Sequence, residues 1–155
     1  MRKFEQSLPM ALHRAREATM AFFRPVLNSA GVTEQQWRVI RVLHEREELE
    51  SRTLSDIAGI LPPSLTGILA RLEGHGLVRR RKDAADQRRL YVSLTPRGQA
   101  RFRAISSGVE RGYADIEVQL GTERLEQLFA LLAEVRDLTP RMERPGALAD
   151  RAAEA

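Results

Sequence analysis

The chain has 155 residues, 43% of them apolar and 30% charged, with a formal net charge of +4, and this composition is ordinary for one globular domain. It contains no cysteine, which excludes disulfides, thiolate catalysis and thiolate zinc sites. No apolar run approaches the roughly 20 residues that span a bilayer, and cations interrupt the apolar stretch near the N-terminus, so we expect a cytoplasmic protein without a membrane partner.

The spacing of apolar residues predicts a mainly helical chain that starts with one long helix. Apolar positions three or four apart predict this helix over about 5–29, and Gly31 ends it. Thr33 and Gln36 then form the capping box of a second helix. That helix carries Trp37, Ile40 and Leu43 inward before the charged ending REELE.

Two shorter helices are predicted next, with a tight turn between them. Thr53 and Asp56 indicate a capping box for a helix that ends near Ile60. Pro62 opens the following helix, because proline is tolerated in a first helical turn. That helix ends near Gly74 or Gly76, and its buried positions are predicted to be Leu65, Ile68, Leu69 and Leu72.

A basic β-hairpin follows at residues 77–91, LVRRRKDAADQRRLY. Six cations and two acids give this segment a net charge of +4, which equals the formal excess of the whole chain. Strand-forming runs flank the polar connector KDAADQ, so the segment predicts two strands and a loop. The cations are Arg79, Arg80, Arg81, Lys82, Arg88 and Arg89.

Two further helices complete the predicted fold, which is mainly α with a small β-hairpin wing. Thr95 and Pro96 begin a fifth helix, and its apolar stripe from Phe102 to Leu120 is longer than one small domain needs for its core. A sixth helix reaches 138. We read 1–138 as one domain and 139–155 as a flexible tail. Within the domain, 32–98 forms a winged helix-turn-helix lobe, and 5–31 and 99–138 are dimerisation helices that pair two copies.

The order helix, turn, helix and basic hairpin predicts DNA binding. The DNA major groove accepts a helix, and a hairpin beside that helix reaches phosphates or the minor groove. Ser64 and Thr66 are short donors that reach bases or phosphates, whereas Leu65 suits a thymine methyl; in the alternative reading, Ser64 and Thr66 are only cap and turn residues. The predicted contacts from this helix are Pro63, Ser64, Leu65, Thr66 and Arg71.

The hairpin loop adds a second set of predicted DNA contacts. Asp86 lies two residues before Arg88 and can hold its guanidinium in one orientation, which lowers the entropy lost on insertion into the minor groove. In the alternative reading, this pair only ties the loop down. Gln87 belongs to the same loop contact, and the predicted phosphate contacts are Arg81, Lys82 and Arg89.

The run LEGHGLVRRRKDAADQRRLYVSLTPRG resembles the pattern of the MarR family of transcriptional regulators. Its parts are a leucine-rich helix ending in glycine, an arginine-rich strand, Asp-x-Arg, and a strand closing with Leu-Thr-x-x-Gly. The resemblance covers roughly residues 8–138. The segments AREATMAFFRPVL, TEQQWRVIRVL and PPSLTGILARLE look like the branch of that family that represses homoprotocatechuate degradation.

This resemblance implies a homodimeric repressor that reads a pseudo-palindromic operator in double-stranded DNA. It also implies a pocket between the dimer helices and each lobe, with a small phenolic acid such as a hydroxyphenylacetate as effector. Arg16 is the predicted anchor, because a guanidinium beside apolar surface suits an aromatic carboxylate. Alternatively, Arg16 pairs with Glu17 or Glu5, and Trp37 is a core residue. The predicted effector contacts are His13, Arg16, Met20, Phe23 and Trp37.

Nothing in the sequence predicts an enzyme, a metal site or a cofactor. His13, His44 and His75 are about thirty residues apart, which is not metal-ligand spacing. No nucleophile elbow or phosphate-binding glycine loop is present. Two alternatives to the repressor remain open: the same fold answering to a different effector or to none, and an architectural protein that binds DNA without sequence preference.

Overall fold

A computed structural model describes residues 3–4 and 7–138, so the predicted tail at 139–155 and the predicted helix start at residues 5 and 6 lie outside it. The chain divides into two compact units, 1–116 and 117–155. Three antiparallel strands form one sheet in the order β1-β3-β2. The elements are α1 (Leu8–Met20), α2 (Arg24–Ser29), α3 (Glu34–Arg46), β1 (Glu48–Glu50), α4 (Ser51–Ala58), α5 (Pro62–Gly74), β2 (Val78–Lys82), β3 (Leu90–Leu94), α6 (Pro96–Leu120) and α7 (Thr122–Arg136).

The prediction of one continuous first helix is wrong. The helix stops at Met20, and a turn over 21–23 leads into α2, which begins at Arg24. Pro25 explains the break, because proline lacks the N–H that a continuing helix needs and its ring clashes with the carbonyl four residues earlier, that of Ala21. Two short helices therefore replace the long one.

The charged ending predicted for the second helix contains a strand instead. Glu48–Glu50 pairs with Tyr91–Ser93 of β3, so the predicted hairpin is part of a three-stranded sheet. Since β1 runs directly into α4 at Ser51, the predicted capping box of Thr53 and Asp56 is wrong. The helix ends at Ala58 rather than Ile60, because Gly59 adopts a left-handed conformation with a φ of 59°.

The core of the first unit confirms most of the predicted buried positions. Thr33 and Gln36 form the predicted capping box at the start of α3, with N···O distances of 3.0 and 3.2 Å. The apolar stripe of α6 packs against this core as far as Ile116, so it leaves less surface for a partner than predicted. The predicted core positions that are buried are Trp37, Ile40, Leu43, Leu65, Ile68, Leu69 and Leu72.

Described by itself, the second unit exposes apolar residues on α7. Leu131 and Phe129 are more than half exposed, at 58% and 59%. Leu128 and Leu132 are also exposed. Contiguous exposed apolar side chains of this kind mark interaction surfaces.

Gly98, in the first turn of α6, has no room for a side chain. An added Cβ would overlap the carbonyl oxygen of Leu77 and lie 3.1 Å from Leu94 Cδ2. Gly67 in α5 is the opposite case, because nothing lies within 4 Å of its Cβ position.

We expect Gly98→Ala to lower the free energy of unfolding by about 1–3 kcal/mol, the usual cost of overpacking. Gly67→Ala is the matched control and should raise it by up to about 1 kcal/mol, because glycine is the poorer helix former. Urea unfolding of both variants measures the difference. Equal stabilities would contradict the tight contact at Gly98.

Among the described residues, no single helix is long and apolar enough to cross a membrane. Only α4 and α5 taken together have the length and apolar composition of a membrane span, and the chain bends by 107° between these two helices. Most of their apolar side chains, including Leu54, Ala58, Ile68 and Leu69, are buried in the core of the first unit, whereas Ile57 is 49% exposed.

Candidate functional site

The first candidate surface is the exposed side of α5, which begins with two prolines. Pro63, Ser64 and Arg71, three of the predicted DNA contacts, are exposed. Thr66 is exposed as well, and its hydroxyl donates to the carbonyl of Pro62 at 3.0 Å. Leu65 is only 1% exposed and lies in the core, so the prediction that it touches a thymine methyl is wrong.

The three arginines of β2 are each held by another residue. Arg79 donates to the Ser93 hydroxyl at 2.9 Å, and Arg80 forms an ion pair with Glu73. Arg81 donates two hydrogen bonds to Glu48, at 3.0 and 2.5 Å, and its guanidinium lies 4.6 Å from the centre of the Tyr91 ring. The predicted phosphate contact of Arg81 therefore competes with a bidentate ion pair.

These pairs also change the charge that the hairpin presents. Glu48 and Glu73 lie outside the segment 77–91, and each neutralises one of its cations. The hydrogen bond from Arg80 lowers the pKa of Glu73, and that from Arg81 lowers the pKa of Glu48. In the loop at 83–89, Arg88 and Arg89 balance Asp83 and Asp86, so the positive charge left after these pairs lies on Arg79 and Lys82 of β2.

The lowered carboxyl pKa values predict a specific acid sensitivity. A carboxylate whose pKa falls on folding stabilises the native state at pH values above its ordinary pKa, which is 4.5 for Glu73. This stabilisation disappears as the pH falls through the lower pKa of the folded protein. We expect Glu73→Gln to melt below the unmodified protein at pH 7, and we expect the difference between their melting temperatures to narrow as the pH falls below 4.5. Thermal unfolding across this range measures the gap.

Glu110→Gln is the control for this comparison, because Glu110 is exposed on α6 and forms no ion pair with another described residue. It should melt with the unmodified protein at every pH. A gap between Glu73→Gln and the unmodified protein that stayed constant down to pH 3 would show that the Arg80 pair does not stabilise the fold.

The hairpin loop is ordered by its own polar groups. The Asp83 carboxylate accepts the backbone N–H groups of Ala85 and Asp86 at 2.8 and 3.0 Å. These bonds lower the pKa of Asp83. The Gln87 amide donates to the Asp83 carbonyl at 3.0 Å, so this side chain is engaged in the loop.

Arg88 projects from this ordered loop. Its side chain is 92% exposed, and its Nε donates to Asp86 Oδ1 at 3.1 Å. The same oxygen accepts the Arg88 backbone N–H at 3.0 Å, which forms the predicted pair between these residues. Lys82 and Arg89 are also exposed, and neither forms an ion pair with another described residue.

The second candidate site is a cavity of about 210 Å³ within the first unit. It brings together four of the five predicted effector contacts. His13 does not line it and is exposed on α1, so the predicted role of His13 has no geometric support. The lining residues are Arg16, Met20, Phe23, Glu34, Trp37, Arg38, Arg41, Val109 and Tyr113.

Arg16, the predicted anchor, is already paired on two sides. It contacts Glu17 at 2.6 Å and Glu34 at 2.5 Å. Arg24 contacts the same two carboxylates at 2.6 and 2.8 Å, which closes a ring of four alternating charges. The hydrogen bonds from Arg24 are the largest cause of the lowered pKa of both Glu17 and Glu34. The predicted pairing with Glu17 is therefore present, whereas Glu5 lies outside the described residues.

Five lining residues were not predicted from the sequence, and Arg41 and Tyr113 are the two of them that form a hydrogen bond with each other; the other three are Glu34, Arg38 and Val109. Arg41 donates to the Tyr113 hydroxyl at 2.9 Å and to Glu45 at a longer 3.3 Å. The signal for Arg41 was available, because it lies four residues after Trp37 and hence on the same helical face. Tyr113 belonged to the α6 stripe that we had assigned to dimerisation.

Trp37 satisfies both readings of its role. It is 8% exposed, and its ring stacks on Phe102 with a centroid distance of 5.4 Å and an interplanar angle of 8°. It also lines the cavity. Phe23 is similar, because it packs against Tyr113 at 4.8 Å while lining the same space. The cavity wall is therefore continuous with the core and rigidly held.

A larger cavity of about 450 Å³ lies elsewhere in the first unit, and no predicted site residue lines it. Its cations include Arg97 and Arg101, and Arg101 donates to the carbonyl of Ala30 at the end of α2. Within the part of the chain that the structure describes, no group of three His, Asp or Glu side chains is arranged to hold a metal ion.

Comparison with known proteins identifies relatives of this chain. The sequence profile of the MarR family matches residues 32–90. The homoprotocatechuate degradative operon repressor of Escherichia coli is 48% identical over 128 residues, which are 83% of this chain and 86% of that protein.

Two solved structures share the fold. NadR in complex with 4-hydroxyphenylacetate is 45% identical, with a TM-score of 0.76 over 90% of this chain and 99% of that chain. The transcriptional repressor CouR, bound to a 23-mer DNA duplex, is 26% identical, with a TM-score of 0.78 over 85% of this chain and 94% of that chain. Because it is 48% identical to a repressor and covers most of its length, the chain belongs to the MarR family.

Proposed function

We propose that this protein is a homodimeric, DNA-binding repressor of an aromatic-acid catabolic operon, released from its operator by a phenolic carboxylate. The observation that carries the proposal is the cavity of about 210 Å³, which is lined by arginines and the Tyr113 phenol together with the aromatic rings of Phe23 and Trp37. Trp37 lies on α3, and α3 packs against α4 and α5. The E. coli relative supports the class of operon, because that protein represses a homoprotocatechuate degradative operon. Because its proposed partner is chromosomal DNA, the protein acts in the cytoplasm, and its MarR-family relatives support a regulatory rather than an enzymatic role.

On the DNA side, α5 enters the major groove and the loop between β2 and β3 reaches the minor groove. Arg88 is the minor-groove contact, because it is exposed and already oriented by Asp86. Lys82 and Arg89 contact phosphates, whereas Arg81 contributes less because it is paired with Glu48. Gln87 acts indirectly, through the shape of the loop. The contacts from α5 are Pro63, Ser64, Thr66 and Arg71.

Two copies of the chain read the operator together. The exposed apolar residues of α7 supply surface that a second copy covers, as we expect for helices at the chain ends. A two-fold dimer presents two α5 helices to half-sites one or more DNA turns apart, so the operator is pseudo-palindromic.

On the effector side, we assign the carboxylate anchor to Arg41 rather than Arg16. Arg16 contacts two carboxylates at 2.6 and 2.5 Å, whereas Arg41 contacts one, that of Glu45, at 3.3 Å and donates its shorter hydrogen bond, of 2.9 Å, to the Tyr113 hydroxyl. The cavity is smaller than the ~300–1,000 Å³ of drug-sized pockets, which favours a ligand with one ring. NadR supports this class of ligand, because it was solved with 4-hydroxyphenylacetate.

A gel-shift assay tests the proposal. The purified protein should bind a duplex from the region upstream of its own operon more tightly than a scrambled duplex of equal length, and 4-hydroxyphenylacetate should release it. Related acids with shifted hydroxyl groups form the comparison panel. Equal affinity for both duplexes would favour an architectural protein, and specific binding that no acid alters would favour an effector-free regulator.

A further inference from the structure

Arg38 joins the cavity to the turn that leads into α5. It lines the cavity from α3, three residues before Arg41. Its Nη1 also donates to the carbonyl of Ala58 at 2.9 Å and lies 3.5 Å from the carbonyl of Gly59. These carbonyls belong to the end of α4 and to the turn that precedes Pro62, the first residue of α5.

The turn depends on this donor because the last carbonyls of a helix have no partner within the helix. Ala58 is 2% exposed, so its carbonyl is poorly placed to find water if Arg38 withdraws. A guanidinium also suits the negative end of a helix dipole. Gly59 and Ile60 are further tied by backbone hydrogen bonds to Asp56 and Ser55, at 3.2 and 3.1 Å.

Arg38 has only neutral partners, which makes it available to an anion. It forms no ion pair with another described residue, although Glu34 lines the same cavity, because Glu34 is occupied by Arg16 and Arg24. A carboxylate is a stronger acceptor than a peptide carbonyl, by roughly a factor of two in hydrogen-bond strength. A carboxylate has room for several donors, so one bound acid accepts from Arg41 and Arg38 together.

We propose that Arg38 transmits effector binding to the DNA-reading helix: an acid in the cavity draws its guanidinium away from the Ala58 carbonyl and loosens the turn between α4 and α5. This inference rests on the proposed function and specifies its regulation. Arg38 is a positioning residue for α5, and Arg41 is the residue that holds the acid. The two arginines then differ in a measurable way, since Arg41 sets the affinity for the acid and Arg38 sets its effect on DNA.

The test compares operator affinity without acid and with saturating 4-hydroxyphenylacetate, for the full-length dimer and two variants. For the unmodified protein we expect the acid to weaken operator binding about 5–150-fold, the usual range of coupling between sites. Arg38→Gln should reduce this ratio to below about twofold. Arg41→Gln should need more acid to reach saturation, but at saturation the acid should weaken its operator binding by the same factor as in the unmodified protein. A purely structural role for Arg38 would lower thermal stability and operator affinity but leave the ratio unchanged.

Hydrogen exchange on the unmodified protein gives an answer that does not depend on how the variants fold. The amides of Gly59 and Ile60 should exchange faster when 4-hydroxyphenylacetate is bound, because the turn loses the Arg38 bond. Two results would overturn the inference and leave the proposed function intact. One is unchanged exchange of the Gly59 and Ile60 amides when the acid binds. The other is an Arg38→Gln variant whose operator binding the acid weakens as much as that of the unmodified protein. If the unmodified protein kept its operator at every acid concentration, the proposed function itself would fail.

Discussion

Arg88→Ala is expected to weaken operator binding by about 1–3 kcal/mol for each wing, which is roughly 5–150-fold. The side chain is 92% exposed and held by Asp86, so it is ready to enter the groove with little further loss of entropy. Fluorescence anisotropy with a labelled operator, repeated at several salt concentrations, measures both the affinity and its salt dependence. The slope against salt should also fall, because one cation per wing no longer displaces counterions.

Arg81→Ala is the matched control for this experiment. Arg81 lies in the same hairpin and carries the same charge, but it is bound to Glu48 and stacked on Tyr91. We expect a smaller loss of operator affinity than for Arg88→Ala. If the two variants lost equal affinity, net charge alone would explain DNA binding, and the orientation of Arg88 by Asp86 would have no role.

Arg41→Gln is expected to weaken binding of 4-hydroxyphenylacetate by about 1.5–3 kcal/mol, the usual worth of a hydrogen bond to a charged group. The substitution removes the positive charge that, in our proposal, binds the effector carboxylate, and it leaves a neutral amide beside Tyr113. Isothermal titration of the DNA-free protein measures this affinity. Operator binding without the acid should change little, because Arg41 lies in the cavity and not on the exposed side of α5.

Arg16→Gln separates the two candidate anchors. Arg16 lines the same cavity, but Glu17 and Glu34 already accept from it. We expect this variant to lose less affinity for the acid than Arg41→Gln does. If Arg16→Gln lost more affinity for the acid than Arg41→Gln, the carboxylate would be bound by Arg16, the anchor predicted from the sequence.

Patterns of local sequence predicted the parts of the fold that local physics determines. The capping box at Thr33, the proline-led start of α5 and the apolar spacing within it all correspond to observed features. The turn at 21–23 was predictable as well, because Pro25 violates the geometry of a continuous helix. The strand β1 was not, since its three residues ELE extend only because β3 pairs with them.

The sites followed the same division. The resemblance placed Arg16, Met20, Phe23 and Trp37 in one pocket, and all four line one cavity. Spacing does not tell which cation is neutralised, because Glu34 and Glu48 approach Arg16 and Arg81 only in the folded chain. The choice of Arg41 over Arg16, and the smaller role given to Arg81, therefore required the structure.

The most direct test is to titrate 4-hydroxyphenylacetate into the free dimer and into the dimer saturated with its operator. Linkage requires that the acid bind the free protein more tightly, by the same factor by which it weakens DNA binding. The account predicts one acid site per chain and a difference of about 5–150-fold between the two titrations. Equal affinity in both titrations, or no binding in either, would contradict it.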